Sequence, residues 1–353
     1  MLFRRIRLVP VKISALPYLG DTFMHRRLAT RWLASLPMTL AVVFVATSLP
    51  VAAQSWPDKP LRLVVPYPPG ASTDAVGRTV AQAIGSPLGQ NVIVENKAGA
   101  SGSIGSAEVA RAPADGYTFV LGTDATHTAN FHLSATPPYH PVRDFTALSI
   151  AALNPLVLVV NPSVTPARTL PELVAYVRAN PDKGAYGSSG NGSPHHLAGE
   201  LLKLKTGAPL LHVPYKGGGP AVNDLIGGSV PMVFSSLITV LPHIKSGRLH
   251  AVAVTTQERY PGLPDVPTMA ETYPGAVMNS WLGFFAPAKL PAPIAQRLSE
   301  EIRKALQSQD VKARLDAAGM VVVALDPAQS TAQVAREFDE RGQLIKAAGI
   351  KAQ

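Results

Sequence analysis

Apolar positions along the chain come in short runs of four or five residues, each broken by glycine or proline and then followed by a stretch of helical spacing. Leu61–Val65 is the first, apolar at Leu61, Leu63, Val64 and Val65 and suited to a strand covered on both faces. Pro66, Pro68, Pro69 and Gly70 end it, and Val76, Val80, Ala83 and Ile84 then form a helical stripe for which Ser72 or Thr73 is the predicted cap. The same alternation predicts strands at Asn91–Glu95, Tyr117–Leu121, Ala185–Gly187, Leu211–Tyr215, Val230–Phe234 and Leu249–Thr255. Between them, Asn96–Gly105 leads into a helix carrying Ile104 and Val109, Leu170–Asn180 forms a helix with Pro171 in its first turn, and Ser193-Pro194 starts another. The buried face of that last helix is predicted as Leu197, Leu201 and Leu204, and Gly217–Pro220 opens one more. Thr123–His127 reads as a polar loop, and helices at Pro291–Gln307, Val311–Ala318 and Thr331–Ala348 close the chain.

Strands separated by helices argue an α/β fold with mostly parallel sheets flanked by helices. At this length one core normally divides into two. Two long apolar stretches, Asp144–Val160 and Trp281–Pro287, suit segments crossing between domains. The expected organisation is an N-terminal extension over 1–53, a discontinuous first domain over 57–155 and 276–353, and a second domain over 156–275.

The net charge of +9 suggests nucleic acid until its distribution is considered. Residues 1–53 hold seven Lys and Arg against the single acid Asp21, leaving an ordinary +3 for the other 300 residues and no nucleic-acid partner. Arg26, Arg27 and Arg31 precede the apolar stretch Thr39–Leu49, and Val51-Ala52-Ala53 has small residues where a signal peptidase reads. The expectation is export and cleavage after Ala53, with Met24 as the more typical start of such a leader. With no cysteine, disulfides, thiolate nucleophiles and Cys-ligated metals are excluded.

Two loops have the composition of an anion clamp. Tyr67–Asp74 and Ser188–Ser193 each place glycine and hydroxyl residues at a helix N-terminus, where backbone N–H groups and the helix dipole favour negative charge. Each would lie at the carboxyl end of a parallel strand, where ligands of open α/β sheets collect. Thr123, Asp124 and Ala125 leave their strand on the same side; Asp124 is read first as a turn cap and second as a partner for a ligand ammonium. Ser235-Ser236 is a similar loop. His195-His196 lacks the spacing of a zinc site, so one ring is expected to pack and one to be exposed, and no metal or cofactor is expected. There is no G-x-S-x-G elbow and no nucleotide-binding glycine motif. A serine hydrolase built on Ser189, His196 and an unassigned acid stays open as an alternative, as does a sensing receptor without transport.

The runs PYPPGASTDAVGR, ENKAGASGSIGS, ADGYTFVLGT, YGSSGNGSPHHLAGE, HVPYKGGGPAVNDLIGGSVPMVF, LPHIKSGRLHAVAV, LPDVPTMAE and WLGFFAPAKLP together resemble the Bug family, the receptors of tripartite tricarboxylate transporters. The resemblance covers the chain from about Trp56 onward. It implies a monomeric periplasmic binding protein of flytrap form, not an enzyme, closing on a small carboxylate (a di- or tricarboxylate, an aromatic acid or an acidic amino acid) and delivering it to membrane permease subunits. It places the carboxylate between the loop holding Tyr67, Pro69, Gly70, Ala71, Ser72, Thr73 and Asp74 and the loop holding Ser188, Ser189, Gly190, Asn191, Gly192 and Ser193. Thr123, Asp124, Ala125 and Ser235 would line the rest of the cleft, and His196 and Tyr215 complete the candidate set. Ala71 stands where the family usually has a second glycine, and Ser235 where it commonly has an aspartate.

Overall fold

The computed structural model describes residues 56–352; the expected leader and its cleavage site lie outside them. In chain order the elements are β1 (Leu61–Val65), α1 (Ser72–Leu88), β2 (Val92–Asn96), α2 (Ser103–Ala110), β3 (Thr118–Thr123), α3 (Asn130–Leu133), β4 (Phe145–Leu153) and β5 (Leu156–Val160). They continue with α4 (Leu170–Ala179), β6 (Ala185–Ser188), α5 (Pro194–Thr206), β7 (Leu211–Pro214), α6 (Gly218–Ile226), β8 (Met232–Ser236), α7 (Leu237–Lys245) and β9 (His250–Val254). The last are α8 (Met269–Thr272), β10 (Trp281–Pro287), α9 (Ala292–Gln307), α10 (Gln309–Ala317), β11 (Val321–Val322) and α11 (Pro327–Ala347). No described helix is long and apolar enough to cross a membrane.

The strands form two sheets, β11-β4-β10-β3-β1-β2 and β7-β6-β8-β5-β9, within one compact unit. In the first, β1 pairs parallel with β2 and β3 while β10 runs against β3 and β4, so four of the six strands point one way. In the second, β6 pairs parallel with β7 and β8 while β5 runs against β8 and β9, so four of the five agree. Two of the reversed strands, β5 and β10, are the ones by which the chain arrives from the other sheet, and this fixes where the two lobes meet. β5 begins opposite the carboxyl ends of β8 and β9, through Leu156–Ser236 and Val157–Val254. β10 begins opposite the carboxyl ends of β3 and β4, through Leu282–Thr123 and Trp281–Leu153. Both crossings therefore sit at carboxyl edges, and the loops leaving β1, β3, β6 and β8 converge on one cleft.

Each lobe has its own core. Leu61, Leu63, Val65, Val80, Ile84, Phe119, Phe284 and Leu298 fill one side of the first sheet, while Val64, Val120, Ile150, Trp281 and Phe285 fill the other. Burial on both faces is what Leu63, Val64 and Val65 in succession require, and each fully buried Leu or Val contributes roughly 1.5–3 kcal/mol. Leu158, Leu170, Tyr186, Leu197, Met232 and Phe234 occupy one face of the second sheet, and Val157, Val159, Leu225 and Val233 the other. Helix α11 touches both lobes: Val334 lies in the core around Trp281, whereas Leu344 and Ile345 lie in the core around Tyr186.

Three local expectations change. The stretch read as one crossing strand is two, because Asn154-Pro155 breaks the ladder and lets β5 turn into the other sheet. The buried face of α5 is not the leucine series: Leu204 is 47% exposed, whereas His195, His196, Ala198, Gly199, Glu200 and Leu202 are buried with Leu197. Tyr186 decides this, lying against the helix with its hydroxyl donating to Glu200 Oε1 at 2.7 Å. Thr123–His127 is no open loop; Ala125–Ala129 forms a wide helical turn in which Thr126 and His127 are fully buried.

A Cβ at Gly199 would stand 2.1–2.3 Å from Tyr186 ring atoms, and Tyr186 has no exposed surface through which to retreat. Gly199→Ala is expected to lower unfolding free energy by about 1–3 kcal/mol, read as an earlier urea midpoint with unchanged slope.

Candidate ligand-binding cleft

A groove of about 840 Å³ lies where the carboxyl-end loops meet, within the range of small-molecule sites. The second lobe contributes Ser189, Asn191, Gly192, Ser193 and Pro194. The first contributes Tyr67, Ala100, Ser101, Ser103, Ala125 and Asn130. Ile104, Ala107, Arg111 and Leu133 extend the first-lobe wall, and Ile350 and Lys351 close one side.

The second-lobe loop is held by its own side chains. Ser193 caps α5 by accepting from the His196 N–H at 3.2 Å and donates its hydroxyl to the Gly190 carbonyl at 2.7 Å. The Gly190 N–H bonds Ser188 Oγ, and the Gly192 N–H bonds His196 Nδ1 at 3.0 Å. Gly192 has φ +72°, and a Cβ there would stand 2.5 Å from Leu133 Cδ1, so glycine lets the loop touch the first lobe. Both histidines are buried, contrary to the expectation of one exposed ring. The His196 ring stacks on His212 at 3.7 Å, and His212 Nε2 meets Ser188 Oγ at 2.6 Å. Burial holds both rings below the usual histidine range, His212 at about 4, with Glu200 opposing the shift at His196. Among the described residues no group of His, Asp and Glu is arranged to hold a metal.

On the first-lobe side the groove is lined by Ala100–Ser103 rather than by the loop after β1. Neither Ser72 nor Thr73 caps α1; its N-cap is Ala71, which makes no side-chain cap bond. Asp74 instead braces the loop before the helix, accepting from the Gly70 N–H at 2.9 Å, from Arg78 Nε at 3.0 Å and from Asn96 Nδ2 at 2.9 Å. Burial acts to raise the Asp74 carboxyl, but Arg78, the Gly70 N–H and Asn96 outweigh it and hold it below the usual range. Pro69, Gly70 and Ser72 are exposed, Ala71 is half-buried and Thr73 buried, and none of them lines the groove. Of that loop only Tyr67 does, its hydroxyl 2.9 Å from Thr123 Oγ1, with burial pushing the phenol far above its ordinary pKa. Ala100 and Ser101 have φ +45° and +53°, a left-handed conformation that costs non-glycine residues roughly 1–3 kcal/mol each. Asn130 Nδ2 pins the turn, donating to the Ser101 carbonyl at 3.0 Å and Ser103 Oγ at 3.1 Å.

The remaining candidates lie behind the groove. Ser188 and Ser235 have no exposed surface, and Tyr215 donates its hydroxyl to Asp224 at 2.8 Å, its pKa pushed up to about 12 by burial and by Asp224. Asp124 makes no cap bond and does not line the groove; it is 3% exposed and accepts from Ser280 Oγ at 3.0 Å. Of the Thr123–Ala125 segment only Ala125 reaches the groove. Ser189 pairs with His195 rather than His196, at 2.6 Å, and the far nitrogen of His195 meets the Ser236 hydroxyl at 3.3 Å, so no carboxylate completes a triad.

That contact opens a chain through both crossings. Asn154 Nδ2 donates to Ser236 Oγ at 3.1 Å, the Asn154 N–H donates to the Ser280 carbonyl at 2.8 Å, and Ser280 Oγ donates to Asp124. Beyond Asp124 lies a buried cluster in which Glu337 accepts from Trp281 Nε1 at 2.8 Å and Arg341 donates to the Asn279 carbonyl at 3.1 Å.

The residues missed at the sequence level include Ala100, Ser101, Ser103, Arg111, Asn130, Leu133 and Lys351, together with Ile104, which was assigned only to a helix and is 55% exposed in the groove. The signal was present for three of them: Gly99-Ala100-Ser101-Gly102-Ser103 before a helix has the same composition as the two loops that were singled out.

Residues 76–350 match the model of the tripartite tricarboxylate transporter family receptor. The chain belongs to this receptor family. Protein BugT of Bordetella pertussis is 38% identical to the receptor over 324 residues, 91% of this chain and 98% of BugT. The solved periplasmic binding protein BugD is 34% identical with a TM-score of 0.70, covering 84% of this receptor and all of BugD. The Rhodopseudomonas palustris protein Rpa4515, solved with adipate, is 34% identical with a TM-score of 0.73, over 84% of this receptor and all of that chain. MatC from the same organism, solved with bound malate, is 30% identical with a TM-score of 0.69, over 82% and 100%.

Burial raises the Asp124 carboxyl to about 7, with Arg341 opposing and Glu337 reinforcing the shift. Between the unfolded value of 3.8 and about 7 the folded receptor thus holds a proton at Asp124 that the unfolded chain releases. This contribution to stability is fully present below the unfolded value near 3.8 and is lost as pH rises to about 7. Asp124→Asn is expected to remove this pH dependence, on the order of 3 kcal/mol, seen in urea midpoints compared at pH 4 and pH 8.

Proposed function

We propose that the receptor works in the periplasm, captures a small carboxylate between its lobes and presents the closed form to the membrane subunits of a tripartite tricarboxylate-type permease. The observation that carries this reading is the groove at the carboxyl ends of both sheets, walled by small hydroxyl and amide side chains and by two helix starts, in a family with members solved with adipate and malate. The lobe boundaries proposed are 57–155 with 276–353, and 156–275. The ligand carboxylate sits between Ser101–Ser103 and Asn191–Ser193, which places it at the first turns of α2 and α5. A helix start favours an anion by about 0.3–1 kcal/mol when exposed and up to about 2 when partly buried. Both starts reach the ligand only when the lobes approach, so binding favours the closed state by its differential contacts. The loop after β1 acts through Tyr67, whose bond to Thr123 holds the groove wall, while the Asp74 brace holds the loop itself.

One feature favours a second reading, the 2.6 Å Ser189–His195 pair that a hydrolase would use. The hydroxyl of Ser236 stands where an orienting carboxylate would be needed, and the binding reading is the better supported.

Native mass spectrometry of the full-length chain is expected to release a carboxylic acid on denaturation, and thermal shift to respond to di- or tricarboxylates. Ser103→Asp, which sets a negative charge at the groove, is expected to weaken any such acid at least about tenfold with little change in melting temperature. An empty protein unresponsive to carboxylates, with ester turnover abolished by Ser189→Ala, would move the assignment to the hydrolase.

A further inference from the structure

Helix α2 and Arg111, the exposed C-cap residue that follows it, form one wall of the groove. Ser103, Ile104, Ala107 and Arg111 recur at helical spacing on one face, and all of them line the groove. The wall therefore runs from a polar start, over two apolar side chains, to a cation. At 1.5 Å rise per residue, Arg111 stands ~12 Å along the axis from Ser103. Its side chain leans back toward the helix start, and it is held against the groove by donating Nη2 to the carbonyl of Pro138, another lining residue, at 3.2 Å. Arg111 makes no ion pair among the described residues, and Lys351 adds a second cation to the lining. Ile104 and Leu133 present apolar surface between the two ends. No Asp or Glu lines the groove among the described residues. Asp124 is bonded to Ser280 and Ser235 is buried, so neither receives a ligand ammonium.

We propose that the ligand is an amine-free dicarboxylate with an apolar chain of roughly six to eight carbons, and that Arg111 binds its second carboxylate and sets this length preference. The proposal rests on the carboxylate-receptor reading and deepens it. A single carboxylate would use only the polar end and leave Arg111 unused. An α-amino acid would bring an ammonium into a groove that holds two cations and, among the described lining residues, no carboxylate to pair with it. Cations also suit a helix C-terminus, so the test separates binding from helix stability.

The experiment is calorimetric titration of the full-length receptor with malate, succinate, pimelate, heptanoate and 2-aminopimelate. Pimelate is expected to bind best, roughly ten- to a hundredfold tighter than heptanoate, which lacks one charge-assisted bond, with 2-aminopimelate also weaker. Arg111→Ala is expected to bring the pimelate-to-heptanoate ratio close to one, and Arg111→Lys to restore part of it, with ligand-free melting temperatures of both variants near that of the parent. Malate binding with no pimelate preference, 2-aminopimelate binding as tightly as pimelate, or Arg111→Ala weakening pimelate and heptanoate equally would each overturn this proposal while leaving the receptor reading intact. Failure of every acid to bind would overturn both.

Discussion

The structure depends on where the chain passes between its two sheets. Because β5 and β10 each start against the carboxyl ends of their new neighbours, both crossings occupy the same edge, and every loop that follows a forward strand opens toward the other lobe. The cleft is thus a consequence of strand direction before any side chain is considered. Asn154-Pro155 is the local device: proline cannot continue the ladder, and the Asn154 N–H ties the first crossing to the second through the Ser280 carbonyl. The polar chain from Ser189 through His195, Ser236 and Asn154 to Ser280 and Asp124 gives the cleft a contiguous hydrogen-bonded connection to both crossings.

Elements governed by local chemistry were legible in the sequence. The apolar-rich runs Leu61–Val65 and Trp281–Pro287 are strands with those bounds, and Ser193-Pro194 caps and starts its helix as a hydroxyl followed by proline should. What needed a distant partner was not legible. The α5 face follows Tyr186 and His212 rather than the leucine spacing, since buried polar groups with partners cost little. Ile104 has the period of a core residue, and periodicity cannot tell a core from a cleft wall. Asp74 takes two partners from four residues to either side, Gly70 and Arg78, but the third, Asn96, comes from β2, a contact that sequence spacing does not announce.

The cleft is also largely pre-paired. Gly190, Gly192, Ser193, Asn130 and Tyr67 already have hydrogen-bond partners. The cost of ordering these loops is met in folding, so little is left to subtract from ligand affinity. The left-handed turn at Ala100 and Ser101 fits this arrangement, being strained backbone kept at the groove by Asn130.

Helix α11 gives the molecule a third link besides the two crossings, with Val334 anchored in one core and Leu344 and Ile345 in the other. A body joined by two adjacent strands alone would swing like a door. One joined also by a rigid rod of 21 residues must either flex that rod or let its last turn slide over its bed. A rotation of one lobe against the other would therefore have to displace the C-terminal segment, where Ile350 and Lys351 follow the rod and edge the groove.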